Sequence, residues 1–166
     1  MRITGRGVRP KKCTAEDYSL KMKKETWDAI ETMFSRFPIM KAEGVEMIEI
    51  DAVCAQFGIP LPSDYREFIH RYGGAVVGPY PIFGLRRAEP MAINEGSVVD
   101  VTRRFRQKSW VGTEAWLVFS IDHAGNPVGL DRDGKVWISD HDARAVQLIA
   151  NSFEDYLRQR CLKFAA

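Results

Sequence analysis

The sequence predicts an α+β fold, with amphipathic helices before and after a short antiparallel sheet. Three observations carry this. Apolar residues recur at three- and four-residue steps from Trp27 to Phe37 and again from Tyr65 to Tyr72, the spacing of one helix face. Between Ala115 and Ile138, apolar and β-branched runs alternate with Asp/Asn/Gly turns, the pattern of a meander. Ser152-Phe-Glu-Asp155 then has capping-box spacing and opens a closing helix. Helices, sheet and helix in that order read as a segregated α+β arrangement.

Taken in order, Thr14-Ala-Glu-Asp17 offers an N-cap and early acids for a first helix. Trp27, Ile30, Met33, Phe34 and Phe37 form its apolar face, and Pro38 stops it. Val45, Met47 or Ile48, Ala52, Ala55 and Gln56 suggest a second helix ending at Phe57-Gly58, where glycine accepts the left-handed cap. Ile59-Pro-Leu-Pro62 forces an extended link. Ser63 is read as the N-cap of a helix that buries Tyr65, Phe68, Ile69 and Tyr72, and Gly73-Gly74 ends it. Ala75-Val77 and Pro81-Phe83 follow as partner strands, and Val98, Val101, Thr102 and Phe105 share a face if Ser97 to Arg106 is helical. The meander is expected to have three strands, within Trp116-Ile121, Pro127-Leu130 and Lys135-Ile138, and the last helix to bury Phe153, Tyr156, Leu157 and Cys161.

Composition bounds what the protein is. The chain has 166 residues, 45% hydrophobic, with Lys+Arg 24 against Asp+Glu 22, which excludes disorder throughout. At this length a chain hides roughly 70% of its unfolded surface, so neither disulfide nor metal is needed to hold a core. Cys13, Cys54 and Cys161 are odd in number and in no C-x-x-C pair, and are expected as reduced thiols in a cytoplasmic protein. The apolar runs fall short of the roughly 20 residues that span a bilayer, and the basic start is followed by no secretory hydrophobic stretch. Charge is uneven. Residues 1–24 hold 8 basic and 2 acidic side chains, leaving 16 and 20 in the rest. Residues 1–13 are expected to be a basic, flexible tail, and residues 14–166 one domain. The tail has neither aromatic interleaving nor a binding motif, so direct nucleic-acid binding is not expected.

No motif carries catalysis. There is no G-x-S-x-G elbow, no phosphate-binding glycine loop and no dinucleotide fingerprint. Asp122-His123, Asp131, Asp133 and Asp140-His141-Asp142 resemble metal donors in type, but their spacing fits no ligand template, and Asp131-x-Asp-Gly134 is explained by turn chemistry. From Asp122 to Asp142 five aspartates stand against Arg132 and Lys135 near hairpin turns. Such a stretch is either a solvated loop surface or an acidic rim beside Trp137 that docks a basic partner. Tyr72-Gly73-Gly74 with Pro79-Tyr80-Pro81 either lines a groove or, the simpler reading, packs tightly at a helix-to-strand corner.

Leu61-Pro-Ser-Asp-Tyr65-Arg-Glu-Phe-Ile69-His-Arg-Tyr-Gly-Gly74 resembles the SUKH superfamily, which includes a fungal cell-wall synthesis regulator and many bacterial immunity proteins. The Leu-Pro, Tyr, Phe-Ile and Gly-Gly elements stand in the family's order. The likeness continues through Leu117-Val-Phe-Ser-Ile-Asp122, Gly125-Asn126, Leu130-Asp131, Gly134-Lys-Val-Trp137, Asp140-His141 and Ser152-Phe-Glu-Asp-Tyr-Leu157, spanning roughly residues 44–162. It implies an α+β fold with a mixed, mainly antiparallel sheet flanked by helices. It further implies a non-enzymatic protein without cofactor or metal that binds a toxin domain, often a nuclease. An intracellular scaffold or regulatory adaptor is the alternative. The basic start and the helix before Pro38 look like additions that modify partner choice or cover the sheet.

The expected contacts with a cognate toxin domain are therefore Glu95, Asp122, Asp131, Asp133, Asp140 and Asp142 facing a basic site, with Trp137 as an anchor. No membrane partner is expected, and a monomer or weak dimer is.

Overall fold

A computed structural model describes residues 21–92 and 96–164. Helix α1 (Lys24–Arg36) buries Trp27, Ile30, Met33 and Phe34, as its periodicity requires. It starts later than Thr14-Asp17 suggests: Lys23 is extended and its amide donates to Glu154 Oε1, while the proposed cap lies outside the described residues. Phe37 is not on the buried face. It sits past the helix end at φ −131° and is exposed.

Helix α2 (Met47–Phe57) is held by reciprocal capping between Glu46 and Glu49 and ends at left-handed Gly58. Its buried stripe is Ile50, Val53 and Cys54, not the one the sequence suggested: Ile48 is 77% exposed, and Ala52, Ala55 and Gln56 face outward. Contact with the next helix sets this phase. Arg66 reaches back to Asp51 at 2.6 Å and to Cys54 Sγ at 3.6 Å. Helix α3 (Ser63–Tyr72) buries Tyr65, Phe68, Ile69 and Tyr72, with Pro62 rather than Ser63 in the cap position. Gly73 follows at φ 72°, where a Cβ would lie 1.9 Å from the Glu43 carbonyl oxygen. Close backbone packing, not a ligand groove, explains that glycine.

A hairpin of β1 (Ala75–Val77) and β2 (Tyr80–Ile82) leads to helix α4 (Val98–Gln107), which opens on a Ser97–Asp100 capping box and buries Val98, Val101, Thr102 and Phe105 as expected. The main sheet then runs β3 (Leu117–Ile121), β4 (Pro127–Leu130), β5 (Val136–Asp140) and β6 (Ala145–Ala150) in that spatial order. All its pairings are antiparallel, so the meander has four strands, not three, and the described sheets contain no parallel pair. Strand β6 escaped the pattern because Ala145 to Leu148 are exposed and supply no core-facing alternation. Helix α5 (Phe153–Tyr156), capped by Ser152 Oγ, continues through a wide turn over Leu157–Cys161.

One hydrophobic cluster joins these elements. At its centre Phe119 of β3 meets Tyr65 of α3 and Phe153 and Tyr156 of α5 with ring centroids 5.2–5.8 Å apart. Helix α1 does not cover the sheet. It packs on α3, where Phe34 and Trp27 contact Tyr72 and the Arg71 guanidinium lies 4.0 Å over the Trp27 ring.

Candidate protein-binding surface

The antiparallel order fixes where the aspartates go. In a four-strand meander the first and third turns share one end of the sheet and the second lies at the other, roughly 15 Å away for strands of this length. Asp122, Asp140 and Asp142 therefore stand at one end, and Asp131, Asp133 and Trp137 lie toward the opposite end. The six described candidates do not form one rim; Glu95 lies outside the described residues.

At the first end, Asp122 Oδ1 accepts the amides of Ala124 (2.9 Å) and Asn126 (2.8 Å), and Oδ2 accepts the Asn126 side-chain amide. Asp140 Oδ1 likewise accepts the amides of Asp142 and Ala143. The two turns are tied together: buried Asn126 accepts the His141 amide on its Oδ1 at 3.1 Å. Asp142 remains exposed at the tip, followed by Arg144 at φ 50°. The His123 ring lies tilted against Tyr80 (4.9 Å) and the His141 ring against Trp110 (5.0 Å), each next in sequence to one of these aspartates.

At the other end, Asp131 Oδ1 accepts the amides of Asp133 and Lys135, and Oδ2 accepts the Trp137 indole N–H at 2.8 Å. Trp137 stacks on buried Trp116 with planes 15° apart, and Trp116 lies against Gly129, where a Cβ would meet the Trp116 Cβ at 2.7 Å. Trp137 is thus half-buried and its indole N–H is engaged. Arg132 donates to the Gly58 carbonyl, leaving Asp133 exposed between Arg132 and Lys135.

Beside the first end the surface is concave. A cleft of about 330 Å³ is lined by Pro79, Tyr80, Pro81, Met91, Ile121 and His123, and a second of about 250 Å³ by Val128, Ile138, Ile149, Tyr156 and Arg160. The Tyr80, Asp122 and His123 side belongs to both. Pro79-Tyr80-Pro81 does line a groove, whereas Gly73-Gly74 does not contribute to it. His123 entered the sequence reading only as a metal donor by type, and Arg160 was not singled out, because only the packing of β2 and of the turn after α5 against the sheet brings them to the cleft.

Among the described residues no group of three His, Cys, Asp or Glu is arranged to hold a metal ion. The turn carboxylates are instead satisfied by backbone amides. Cys54 and Cys161 are buried and not joined in a disulfide, and burial pushes the Cys161 thiol up to about 12, so at neutral pH it stays protonated and unreactive. Cys13 lies outside the described residues. No described helix is long and apolar enough to cross a membrane.

Comparison with known proteins places this geometry in a family. The model of the SMI1 / KNR4 family (SUKH-1) matches residues 44–159. The chain belongs to that family. A solved structure described as a protein from Pseudomonas syringae pv. tomato has the same kind of fold, with a TM-score of 0.59 at 14% identity over 80% of this chain and 98% of that one. No curated protein matches the sequence. SUKH-1 membership supports an immunity-type or regulatory role, in a family that is generally non-enzymatic. Helix α1 precedes the SUKH-1 match, yet Trp27, Ile30 and Phe34 belong to the same hydrophobic cluster.

Proposed function

We propose that this SUKH-1 protein is a non-catalytic, cytoplasmic immunity protein that binds a cognate toxin domain and neutralises it by direct contact. The observation that carries the reading is the tied end of the sheet. Asn126 joins the β3–β4 and β5–β6 turns, so Asp122, Asp140 and Asp142 stand along one border beside the Tyr80–His123 cleft. A nuclease is basic where it holds phosphates, and a fixed acidic border next to a concave apolar surface complements such a site in charge and shape. Preorganisation helps, because Asp122 and Asp140 are already held by turn amides and lose little freedom on binding.

The test is co-expression with the toxic domain encoded beside this chain, scoring growth rescue and co-purification. Rescue with a stable complex supports immunity by sequestration. Neither rescue nor binding overturns it and favours an adaptor for an ordinary cellular protein, to be sought by untargeted pull-down.

A further inference from the structure

The two edges of the main sheet are treated differently. At the β3 edge, the Phe83 amide donates to the Phe119 carbonyl at 2.7 Å, the Val118 amide donates to Thr102 Oγ1 at 2.9 Å, and Ser120 Oγ donates to the Pro81 carbonyl. Strand β2 and helix α4 thus cover that edge. At the β6 edge, among the described residues, the backbone of Ala145 to Ala150 has no hydrogen-bond partner beyond β5.

An uncovered edge strand is normally guarded by charge, proline or shortness. Strand β6 has none of these. It is the longest strand described, six residues, and its sequence Ala-Val-Gln-Leu-Ile-Ala contains neither charge nor proline. Its side chains add an apolar patch. Val146 and Leu148 are 40% and 41% exposed, Leu148 pairs across β5 with Trp137 on one face, and Val111, 53% exposed, follows Trp110 beside them. Gly112 brings this loop to Val146, since a Cβ there would lie 2.8 Å from Val146 Cγ1.

We propose that the occupant of this edge is a second copy of the same chain, with β6 paired antiparallel to β6 about a two-fold axis. The lack of charge is the argument for a copy over a basic toxin. In a two-fold contact the same patch meets itself, so any charge near the axis would face its like, whereas a neutral strand meets no repulsion. A basic partner gains nothing from such a strand. A register centred on Gln147 sets Val146 of one copy against Leu148 of the other on the Trp137 face. It also puts the two Gln147 amides, each both donor and acceptor, side by side on the other. Arg144 then lies opposite Ala150, not opposite a second arginine. The irregularity at Ile149, where Val136 pairs with Ala150 but Trp137 with Leu148, limits the pairing to about Ala145–Ile149. The main sheet becomes one of eight strands, and the tied end carrying Asp142 stays open on both copies.

The experiment is sedimentation or light scattering of the full chain over a concentration series. The mass is expected to move from 18.9 kDa towards twice that value. Val146→Lys/Leu148→Lys, at exposed positions that the fold tolerates, should weaken the dimer at least about tenfold by setting like charges against each other. Circular dichroism shows that the variant is folded. In a Cys13→Ser background, Gln147→Cys should form a disulfide between copies under mild oxidation, because directly opposed cross-strand Cβ atoms approach to about 4.5 Å, at the edge of disulfide geometry, and the edge strands can close the remainder. A mass that stays at 18.9 kDa up to about 1 mM protein overturns the proposal. So does a dimer that survives the lysine pair or a dimer that Gln147→Cys fails to cross-link. A monomer whose β6 amides become protected from exchange only when another protein is bound would assign the edge to that protein instead.

Discussion

At the end of the sheet formed by the β3–β4 and β5–β6 turns, and at the end formed by the β4–β5 turn, an aspartate holds the backbone in the same way. Asp122 accepts the amides of Ala124 and Asn126, and Asp131 those of Asp133 and Lys135. What each end has left over differs. The first keeps Asp142 exposed, an imidazole next in sequence to each of Asp122 and Asp140, and a cleft below. At the second, Asp131 is committed to Trp137, and Asp133 stands between two basic residues. Five aspartates in a stretch of sequence are therefore not one acidic surface. Asp122, Asp131 and Asp140 accept turn amides, and the strand order decides which of the five charges are neighbours.

The largest effect expected lies away from both ends and isolates them from the pH response of the fold. Asp64 is buried against the Glu154 amide, and desolvation raises its carboxyl from 3.8 to about 6. The native state then keeps a proton that the unfolded chain loses. Stability should be greatest below about pH 4, fall as pH rises to about 6 and level off above, by up to about 3 kcal/mol. Denaturant titrations from pH 4 to 8 should show this slope, and Asp64→Asn should flatten it. A slope that persists in Asp64→Asn would show that Asp64 is not its source. Next, Asp122→Ala and Asp131→Ala should each lower stability by about 2 kcal/mol, since each strands several turn donors. Only Asp122→Ala should also weaken toxin binding once the folded fraction is matched, as calorimetry of the purified complex would show. Asn126→Ala should cost about 1 kcal/mol and reduce binding by releasing the two turns from each other. The smallest change separates the ends by charge alone: Asp142→Lys should slow association about tenfold at low salt, whereas Asp133→Lys should change it by less than about twofold. Equal effects from the two in stopped-flow measurements would remove the distinction between the ends.

Helices α1, α3 and α4 were legible because burial on one face leaves a periodic stripe, and Ser152 caps α5 as expected. Helix α2 was located correctly but rotated, because its alanines and methionine carry little directional information and its phase is set by Arg66 from the following helix. The aspartate turns after β3 and β4 were legible from Gly125 and Gly134. The third was not, since Arg144 takes a positive φ without the usual glycine or asparagine, and β6 buries too little to declare itself. Missing β6 concealed that residues 141–144 form a hairpin turn. The three expected strands already set the end of β5, and with it Asp140 and Asp142, at the Asp122 end of the sheet; what they do not show is the Asn126–His141 tie between the two turns.

Glu154 accepts the Lys23 amide and the Thr26 hydroxyl on Oε1, and its own amide donates to Asp64. Thr26 and Glu154 are 128 residues apart in sequence. On the ribosome, α1 can meet Tyr72 as soon as α3 emerges, but its N-terminal turn has nothing to dock on until the whole sheet has been synthesised. The joint that fastens the beginning of the described chain is one of the last to close. A nascent chain stalled anywhere in the meander therefore carries a half-docked first helix and an Asp64 still lacking its Glu154 partner.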